Sequence, residues 1–305
     1  MSEKLKIPSC EGWLRSRRGV LSISCYLEFE FCNLKGRKIM KSILTALIVT
    51  MLWLPSMTAA ETPEEKGLAI AVEADKRDFG FGNYTVNFKM ILKNKHGDES
   101  KRLIRSKTLE VQNDGEKTLI IFDTPRDVKG TAFLNFTHKT GDDDQWLYLP
   151  ALKRVKRISS SNKSGSFMGS EYAYEDIASQ EVEKYTYKWL RDEPCPGEEY
   201  KNLTCFVSER YPVDKKSGYT RQIEWKDQKE YRQIKVNFYD RKNSLLKTLT
   251  FSGYKQYLGQ YWRPDMMYMV NHQNGKSTLL VWNDYKFRVG LKDKDFSKNS
   301  LKRAR

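Results

Sequence analysis

Alternation of apolar and polar residues with a period of two dominates the chain from Tyr84 onward and limits what it can fold into. In YTVNFKMILK, the stretch that begins at Tyr84, every second residue is apolar and most of the others are polar. This pattern is typical of a strand with one buried face in an antiparallel sheet. Comparable runs predict further strands at 103–111, 117–123, 132–137, 145–149, 152–158, 184–190, 203–211, 220–226, 233–239, 245–254, 266–271 and 277–284.

Short turn sequences separate several of these runs, among them KHGDE, NDGE, GDDDQ and QNGK. They supply the Gly, Asn and Asp residues that tight reversals require. Because short connections join neighbours in space, the strands should form a large antiparallel meander. The predicted fold class is mainly β: a large curved antiparallel sheet forming an incomplete, or half, barrel with a few helices covering its concave face.

Helix signals are few. Thr62 precedes Pro63 and two Glu residues, which indicates a capped helix start, and Leu68, Val72 and Ile70 are its predicted buried side. Ser170 is the predicted cap of a second helix, with Tyr172, Ile177 and Val182 available to pack.

The N-terminal region has the order of an export signal. Met40 and Lys41 precede an apolar run at 43–54 and the small residues at 58–60. The run is shorter than the roughly 20 residues that span a bilayer, so a cleaved signal at 40–60 is expected, and a signal anchor is the alternative. Residues 1–39 are interpreted as an over-extended gene start, and 61–305 as a single domain.

Cysteine positions agree with export. Of the five Cys, only Cys195 and Cys205 follow the predicted cleavage site after Ala60. A pair in an exported chain predicts a disulfide, here clipping the turn CPGEEYKNLTC.

The formal charge is +15, and because the first 60 residues contribute +5, about +10 remains in the predicted mature chain. An exported basic protein meets lipid headgroups, acidic glycans and anionic partners, and no nucleic-acid partner is expected. The KRVKR stretch places basic side chains where they could bind an anionic headgroup or partner at the rim of the sheet, with a solvated strand face as the alternative. These are Lys153, Arg154, Lys156 and Arg157.

Signatures of catalysis are absent from the pattern. His96, His138 and His272 have no metal-ligand spacing, and neither G-x-S-x-G nor a phosphate-binding glycine loop occurs. We therefore expect no catalytic residue, metal or cofactor. A hydrolase using Glu175 or Asp176 is the remaining catalytic alternative.

A half-closed barrel can enclose more apolar lining than its side chains fill, which leaves a ligand cavity. The candidate lining residues, with packed core as the alternative, are Val86, Phe88, Met90, Trp146, Tyr148, Tyr187, Trp189 and Phe238. A carrier of this type needs a movable cover. The stretch RISSSNKSGSFMGSEYAYEDI supplies a polar hinge and then an apolar flap, whose predicted lid residues are Phe167, Met168, Tyr172 and Tyr174.

The segment DDQWLYLPALKRVKRI followed by SGSFMGSEYAYEDI resembles the outer-membrane lipoprotein-sorting proteins, LolA-like relatives of the lipoprotein-localisation carriers LolA and LolB. The resemblance runs from about Gly67 to Leu301. It implies a Gram-negative periplasmic protein with a LolA/LolB-like half-barrel, a helical lid and a hydrophobic cavity for acyl chains, and no enzyme activity or cofactor. No residue of the sequence is matched to the carriers' lid-contacting arginine.

Two functions remain open. The first is a periplasmic carrier or chaperone that binds the acyl chains of a lipoprotein or lipid, working with an inner-membrane exporter of the resistance-nodulation-division type. The alternative is a non-catalytic envelope binding module that docks on an exporter or other membrane partner. The protein is expected to be a monomer.

Overall fold

The computed structural model describes residues 60–303. The predictions for 1–39 and 40–60 lie outside this range, apart from Ala60. Thirteen strands of this part of the chain form one antiparallel sheet. Its strands are β1 (Asn83–Lys93), β2 (Glu99–Glu110), β3 (Glu116–Thr124), β4 (Ala132–Phe136), β5 (Asp144–Leu149), β6 (Arg154–Ile158), β7 (Tyr185–Pro194), β8 (Thr204–Pro212), β9 (Tyr219–Asp227), β10 (Gln233–Asp240), β11 (Leu245–Ser252), β14 (Met266–Asn271) and β15 (Ser277–Phe287). Their order across the sheet is β6-β5-β4-β3-β2-β1-β15-β14-β11-β10-β9-β8-β7.

The strand order makes the sheet a meander with one long crossing. The first strand, β1, lies in the middle of the sheet, and β2 to β6 follow it one after another to one edge. Residues 159–184 then cross to β7, which is the other edge strand. It then returns strand by strand until β15 pairs with β1. The curved sheet is therefore not closed, and the predicted half-barrel class is confirmed. A separate hairpin of β12 (Lys255–Tyr257) and β13 (Tyr261–Arg263) was not predicted.

Helix α1 (Pro63–Asp78) starts as predicted. Thr62 Oγ1 accepts a hydrogen bond from the backbone N–H of Glu65, and Glu65 Oε2 accepts one from the Thr62 N–H. The predicted buried side is wrong for Leu68 and Val72, which are 46% and 48% exposed.

Gly67 explains the orientation of α1. A Cβ at Gly67 would lie 2.7 Å from the backbone nitrogen of Trp189, so only glycine permits this approach to β7. The helix therefore turns Gly67, Ile70 and Ala71 towards the sheet, one helical turn apart.

The remaining helices are short. Helix α2 (Tyr174–Ile177) is a single turn whose N-cap is Ala173, so the predicted cap at Ser170 is wrong. Ser170 instead donates its hydroxyl to the Phe167 carbonyl. Helix α3 (Lys298–Arg303) lies on the face opposite to α1 and buries Leu301 with Phe296 and Trp146.

The main hydrophobic core lies on what we call the inner face, the side of the sheet that residues 159–184 cross. It contains Phe88, Met90, Phe122, Phe238 and Leu249 from the strands, and residues of the crossing segment pack into it.

At the β7–β8 end, the predicted disulfide is confirmed: Cys195 and Cys205 are bonded, and both are buried in a smaller cluster with Trp225. No helix within 60–303 is long and apolar enough to cross a membrane.

Candidate functional site

A cavity of about 390 Å³ lies between the inner face of the sheet, helix α1 and the end of the crossing segment. Alternation along β10 and β11 directs Val236, Phe238, Leu249 and Phe251 into it, and Met267 of β14 lies beside them. We call this the inner cavity. A volume of this size falls in the range of small-molecule sites, and its apolar strand wall suits an alkyl chain.

One wall of the inner cavity is charged. Arg210, Glu224 and Lys226 line it, and all three side chains are almost fully buried. Arg210 Nη1 contacts Glu224 Oε1 at 2.9 Å, and Lys226 bonds the other carboxylate oxygen. Burial alone would raise the pKa of Glu224, but Arg210 and Lys226 together hold it below its ordinary value. The network is an ion-paired wall rather than a free charge.

Residues 159–184, which we call the lid, pack into the core on the inner face beside this cavity. Phe167 is fully buried, with its ring centroid 5.2 Å from that of Phe133 and 5.5 Å from that of Tyr174. Tyr172 is 1% exposed and donates its hydroxyl to the Met267 carbonyl at 3.1 Å. These aromatic side chains occupy core positions on the inner face, and we call them the plug.

Polar contacts hold the lid to strands on both sides of the half-barrel. Arg102 of β2 donates to the Met168 carbonyl at 2.6 Å. Lys247 of β11 donates to the Glu171 carbonyl at 2.8 Å and to Asp176 Oδ2 at 2.6 Å. Neither Arg102 nor Lys247 was singled out from the sequence. The burial of Lys247 could have been predicted from the sequence, because Lys247 lies two residues before Leu249 in β11 and so points to the same, buried face of the sheet.

The two carboxylates considered for catalysis are part of this anchoring. Glu175 accepts the Ser217 hydroxyl and the Gly218 N–H, each at 2.8 Å. Asp176 accepts the Tyr219 hydroxyl at 2.8 Å as well as Lys247. Burial, with a smaller effect of the neighbouring Asp176 charge, raises the pKa of Glu175. Both side chains therefore have a structural role in fixing the lid.

The structure brings together some of the candidate lining residues. Phe88, Met90 and Phe238 belong to the core cluster that contains Phe167 and Tyr172, and Met168 and Tyr174 pack against it. Tyr187 lines the inner cavity. Val86 is buried and shares the parity of Phe88 in β1.

Three of the predicted lining residues, Trp146, Tyr148 and Trp189, lie outside this core cluster and do not line the inner cavity. Trp146 and Tyr148 do not join this group: they have the opposite parity to Leu147, and they pack in the outer cluster beneath α3. Trp189 is half-buried at α1, where Lys66 Nζ lies 3.5 Å from the centroid of its ring.

The basic rim residues lie on the β5–β6 hairpin, away from the inner cavity. Lys153 occupies the left-handed turn position with φ of 49°, and Arg154 and Lys156 are exposed on edge strand β6. Arg157 pairs with Asp144. Within residues 60–303, Lys153, Arg154 and Lys156 have no ion-pair partner. Leu152, at the tip of the hairpin, is 62% exposed.

An open antiparallel half-barrel, whose two edge strands are joined by a segment that packs on its inner face, defines the LolA-like class of fold. A LolA superfamily protein from Nitrosomonas europaea shares this fold, with a TM-score of 0.60 at 24% identity over 77% of this chain and 98% of that one.

The family follows from closer relatives. A domain from Vibrio parahaemolyticus, assigned to the outer-membrane lipoprotein-sorting proteins, is 58% identical over 78% of this chain and 99% of its own length, with a TM-score of 0.75. A DUF1329 family protein from Desulfovibrio piger is 31% identical over 79% and 99% of the two chains, with a TM-score of 0.73. A family model described as "Uncharacterized protein" matches residues 114–303. Comparison with curated proteins gives no match. The chain belongs to the LolA-like family of outer-membrane lipoprotein-sorting proteins.

Proposed function

We propose that this protein is a periplasmic carrier or chaperone that shields the acyl chains of a lipoprotein or lipid inside the half-barrel. The observation that carries the proposal is the inner cavity, whose strand wall is apolar and which lies beside a lid whose own aromatic side chains occupy neighbouring core positions. An alkyl chain that enters gains about 0.8 kcal/mol for each buried methylene. Displacing Phe167 and Tyr172 would make more of the inner face available to it.

The lid determines how cargo enters and leaves in this proposal. An acyl chain of sixteen carbons could gain on the order of 12 kcal/mol, which makes release slow unless something competes with the chain. Refilling of the same apolar positions by Phe167 and Tyr172 supplies that competition. Membership of a family with a lipoprotein-sorting relative supports this use of the fold.

The test is the lipid content of the purified protein. Organic-solvent extraction and lipid mass spectrometry should recover acyl lipid from the wild type. Phe167→Ala should recover more, because the plug is smaller, and Leu152→Ala, at the exposed hairpin tip, is the matched control and should equal the wild type. The proposal fails if wild type and Phe167→Ala yield no lipid above the level of an unrelated exported protein.

A second candidate is docking on an inner-membrane exporter or another envelope partner without cargo. The unpaired Lys153, Arg154 and Lys156 beside exposed Leu152 favour it. Capture of an exporter at low salt that is lost at high salt, with no extractable lipid, would support this candidate, because salt screens exposed charges.

A further inference from the structure

A second cavity, of about 450 Å³, adjoins the inner cavity at the C-terminal end of helix α1. It is bounded by α1, the β9–β10 turn and the β12–β13 hairpin. Ala74, Asp78 and Gln233 line both cavities, so the two spaces meet at these residues. We call this second space the outer cavity. It is lined by three arginines, Arg77, Arg232 and Arg263, and by the aromatic side chains of Tyr231, Tyr254 and Trp262.

Arg232 and Arg263 dominate the outer cavity, with side chains that are 13% and 12% exposed. Arg232 Nε donates to Asp227 Oδ2 at 2.9 Å. Arg263 Nη1 donates to Asp78 and to the Trp262 carbonyl. Within residues 60–303, the two Nη groups of Arg232 and the Nε and Nη2 groups of Arg263 have no hydrogen-bond acceptor. Several guanidinium donors therefore remain for a ligand.

The carboxylate beside Arg232, that of Asp227, accepts several hydrogen bonds. Asp227 is fully buried and accepts backbone N–H groups of Lys229, Glu230 and Arg232 in addition to the guanidinium. Its oxygens accept these backbone donors as well as Arg232 Nε, and the two Nη groups of Arg232 make no hydrogen bond to it. The Trp262 ring lies 4.7 Å from the Arg232 guanidinium carbon and keeps that group against the wall.

Arg210 in the inner cavity differs from Arg232 and Arg263 in its hydrogen-bond partners. Its Nε and Nη2 donate to Gln222, and its Nη1 meets Glu224. All three of its nitrogens are occupied by the protein. Arg232 and Arg263 are therefore better placed to receive an external anion, since a guanidinium binds a carboxylate or phosphate through paired N–H donors.

We propose that the ligand is an anionic amphiphile, whose alkyl chain lies in the inner cavity and whose carboxylate or phosphate binds Arg232 and Arg263 in the outer cavity. This rests on the proposed function, and it narrows the cargo to chains that carry an anionic group at one end. A neutral acyl chain would leave the arginine donors empty.

Glu230 gives the proposal a built-in control. Its carboxylate lines the outer cavity and accepts a hydrogen bond from Trp262 Nε1 at 3.3 Å. A negative charge here opposes a bound anion, whereas Gln keeps an acceptor for the indole. Glu230→Gln should therefore bind an anionic ligand more tightly and a neutral one unchanged.

The experiment is isothermal titration calorimetry at pH 8 with three probes that share a twelve-carbon chain: dodecanoate, dodecyl phosphate and dodecanol. The wild type should bind both anions at least about tenfold more tightly than the alcohol, the scale of one charge-assisted hydrogen-bonded contact. The ratio of the two anions distinguishes a carboxylate cargo from a phosphate one.

Variants assign that preference to the outer cavity. Arg232→Gln should reduce the preference to about threefold or less, and Arg126→Gln, an exposed arginine with no contact to either cavity, should keep it. Because Arg232→Gln leaves Asp227 without its guanidinium partner and could impair folding, Glu230→Gln is the second variant, and its effect has the opposite sign.

The outcomes separate this inference from the proposed function. Equal binding of all three probes by the wild type would overturn the anion site and leave the carrier function standing. A preference unchanged in both Arg232→Gln and Glu230→Gln would overturn the assignment to the outer cavity. Binding of none of the probes would overturn the carrier function itself.

Discussion

Lys247 and Asp176 form a buried ion pair between the sheet and the lid, with Lys247 Nζ 2.6 Å from Asp176 Oδ2 and the two side chains 4% and 5% exposed. Lys247 also donates to the Glu171 carbonyl, and Asp176 also accepts the Tyr219 hydroxyl. A single lysine thus bonds two points of the lid. The ion pair joins β11 to the segment that connects the opposite edges of the sheet.

Removing Lys247 should loosen the lid before it unfolds the sheet. Lys247→Met leaves Asp176 buried without its cation, a change that costs about 3–5 kcal/mol in comparable pairs. Hydrogen exchange at 167–177 should accelerate strongly, with β1 and β15 little changed. Lys247→Met combined with Asp176→Asn should recover part of the protection. Equal acceleration throughout the sheet would show that the pair stabilises the whole fold.

The plug can be tested through two aromatic side chains of the lid. Phe167→Ala removes a fully buried ring and should lower the free energy of unfolding by about 3–5 kcal/mol. Tyr172→Phe removes only the hydroxyl that bonds the Met267 carbonyl, so the expected loss is about 1 kcal/mol. Denaturant titration measures both. An effect of Phe167→Ala no larger than that of Tyr172→Phe would mean that the ring does not fill a core position.

Glu116 predicts how stability changes with pH. Burial raises its pKa to about 8, from 4.5, and the charge of Asp78 adds to the rise against the opposing effect of Arg263. The folded protein therefore binds this proton more tightly than the unfolded chain does. Its stabilising contribution is complete below about pH 4.5 and is lost as the pH rises towards 8.

The measurement is Tm between pH 5 and pH 9. Glu116→Gln should raise Tm at pH 8 relative to the wild type and flatten its decline across this range. The exposed Glu99 supplies the control, since Glu99→Gln should keep the wild-type profile. A wild-type Tm that is constant or rises between pH 5 and pH 8, with Glu116→Gln indistinguishable from it, would contradict the assignment.

The disulfide should act as a local staple for the smaller cluster around Trp225 at the β7–β8 end. It closes a loop with a sequence separation of 10 residues. Constraining a loop of this length in the unfolded chain stabilises by about 3 kcal/mol. Cys195→Ser with Cys205→Ser should therefore lower Tm by roughly 6–12 °C, at about 2–4 °C for each kcal/mol. Treatment with reductant should shift the wild type in the same direction and leave the double variant unchanged.

The sheet could be predicted from the sequence because one face of each strand is buried. Apolar and polar residues therefore alternate along the strand with a period of two. The hairpin of Lys255–Tyr257 and Tyr261–Arg263 escaped prediction because three residues are too few to show a period. The buried face of α1 was predicted wrongly for a different reason. Hydrophobicity favoured Leu68 and Val72, but the close approach at Gly67 determined the orientation.

The candidate site was harder to predict, because its parts meet across long sequence separations. The aromatic lid was recognisable as an apolar stretch in a polar segment, yet its anchors Arg102 and Lys247 belong to distant strands. Trp146 has an alternating pattern like that of the inner residues, and the pattern alone does not say which face of the sheet is inside. Leu147 takes the inner position, so Trp146 packs on the other side.

The gap between the two ends of the open sheet is bridged by ion pairs, which makes its closure sensitive to salt. The β4–β5 turn contributes Asp142 and Asp143, which pair with Lys216 of the β8–β9 turn and with Lys184 at the end of the lid, directly before β7. Lys139 lies 3.9 Å from Glu183 across the same gap. Exposed pairs contribute about 0.5 kcal/mol each, and three pairs of at least that strength together shift an opening equilibrium by roughly tenfold.

Raising NaCl from 0.05 M to 1 M should therefore accelerate hydrogen exchange at 138–143 and 160–165 by about that factor, because the Debye length falls to about 3 Å. Asp142→Asn combined with Asp143→Asn should exchange rapidly at both salt concentrations. Glu198→Gln breaks a remote pair with Lys201 and should leave the salt response at the gap as in the wild type. If exchange at the gap in the wild type is independent of salt, apolar packing of the lid rather than charge keeps the two ends together, and the Asp variants should then resemble the wild type.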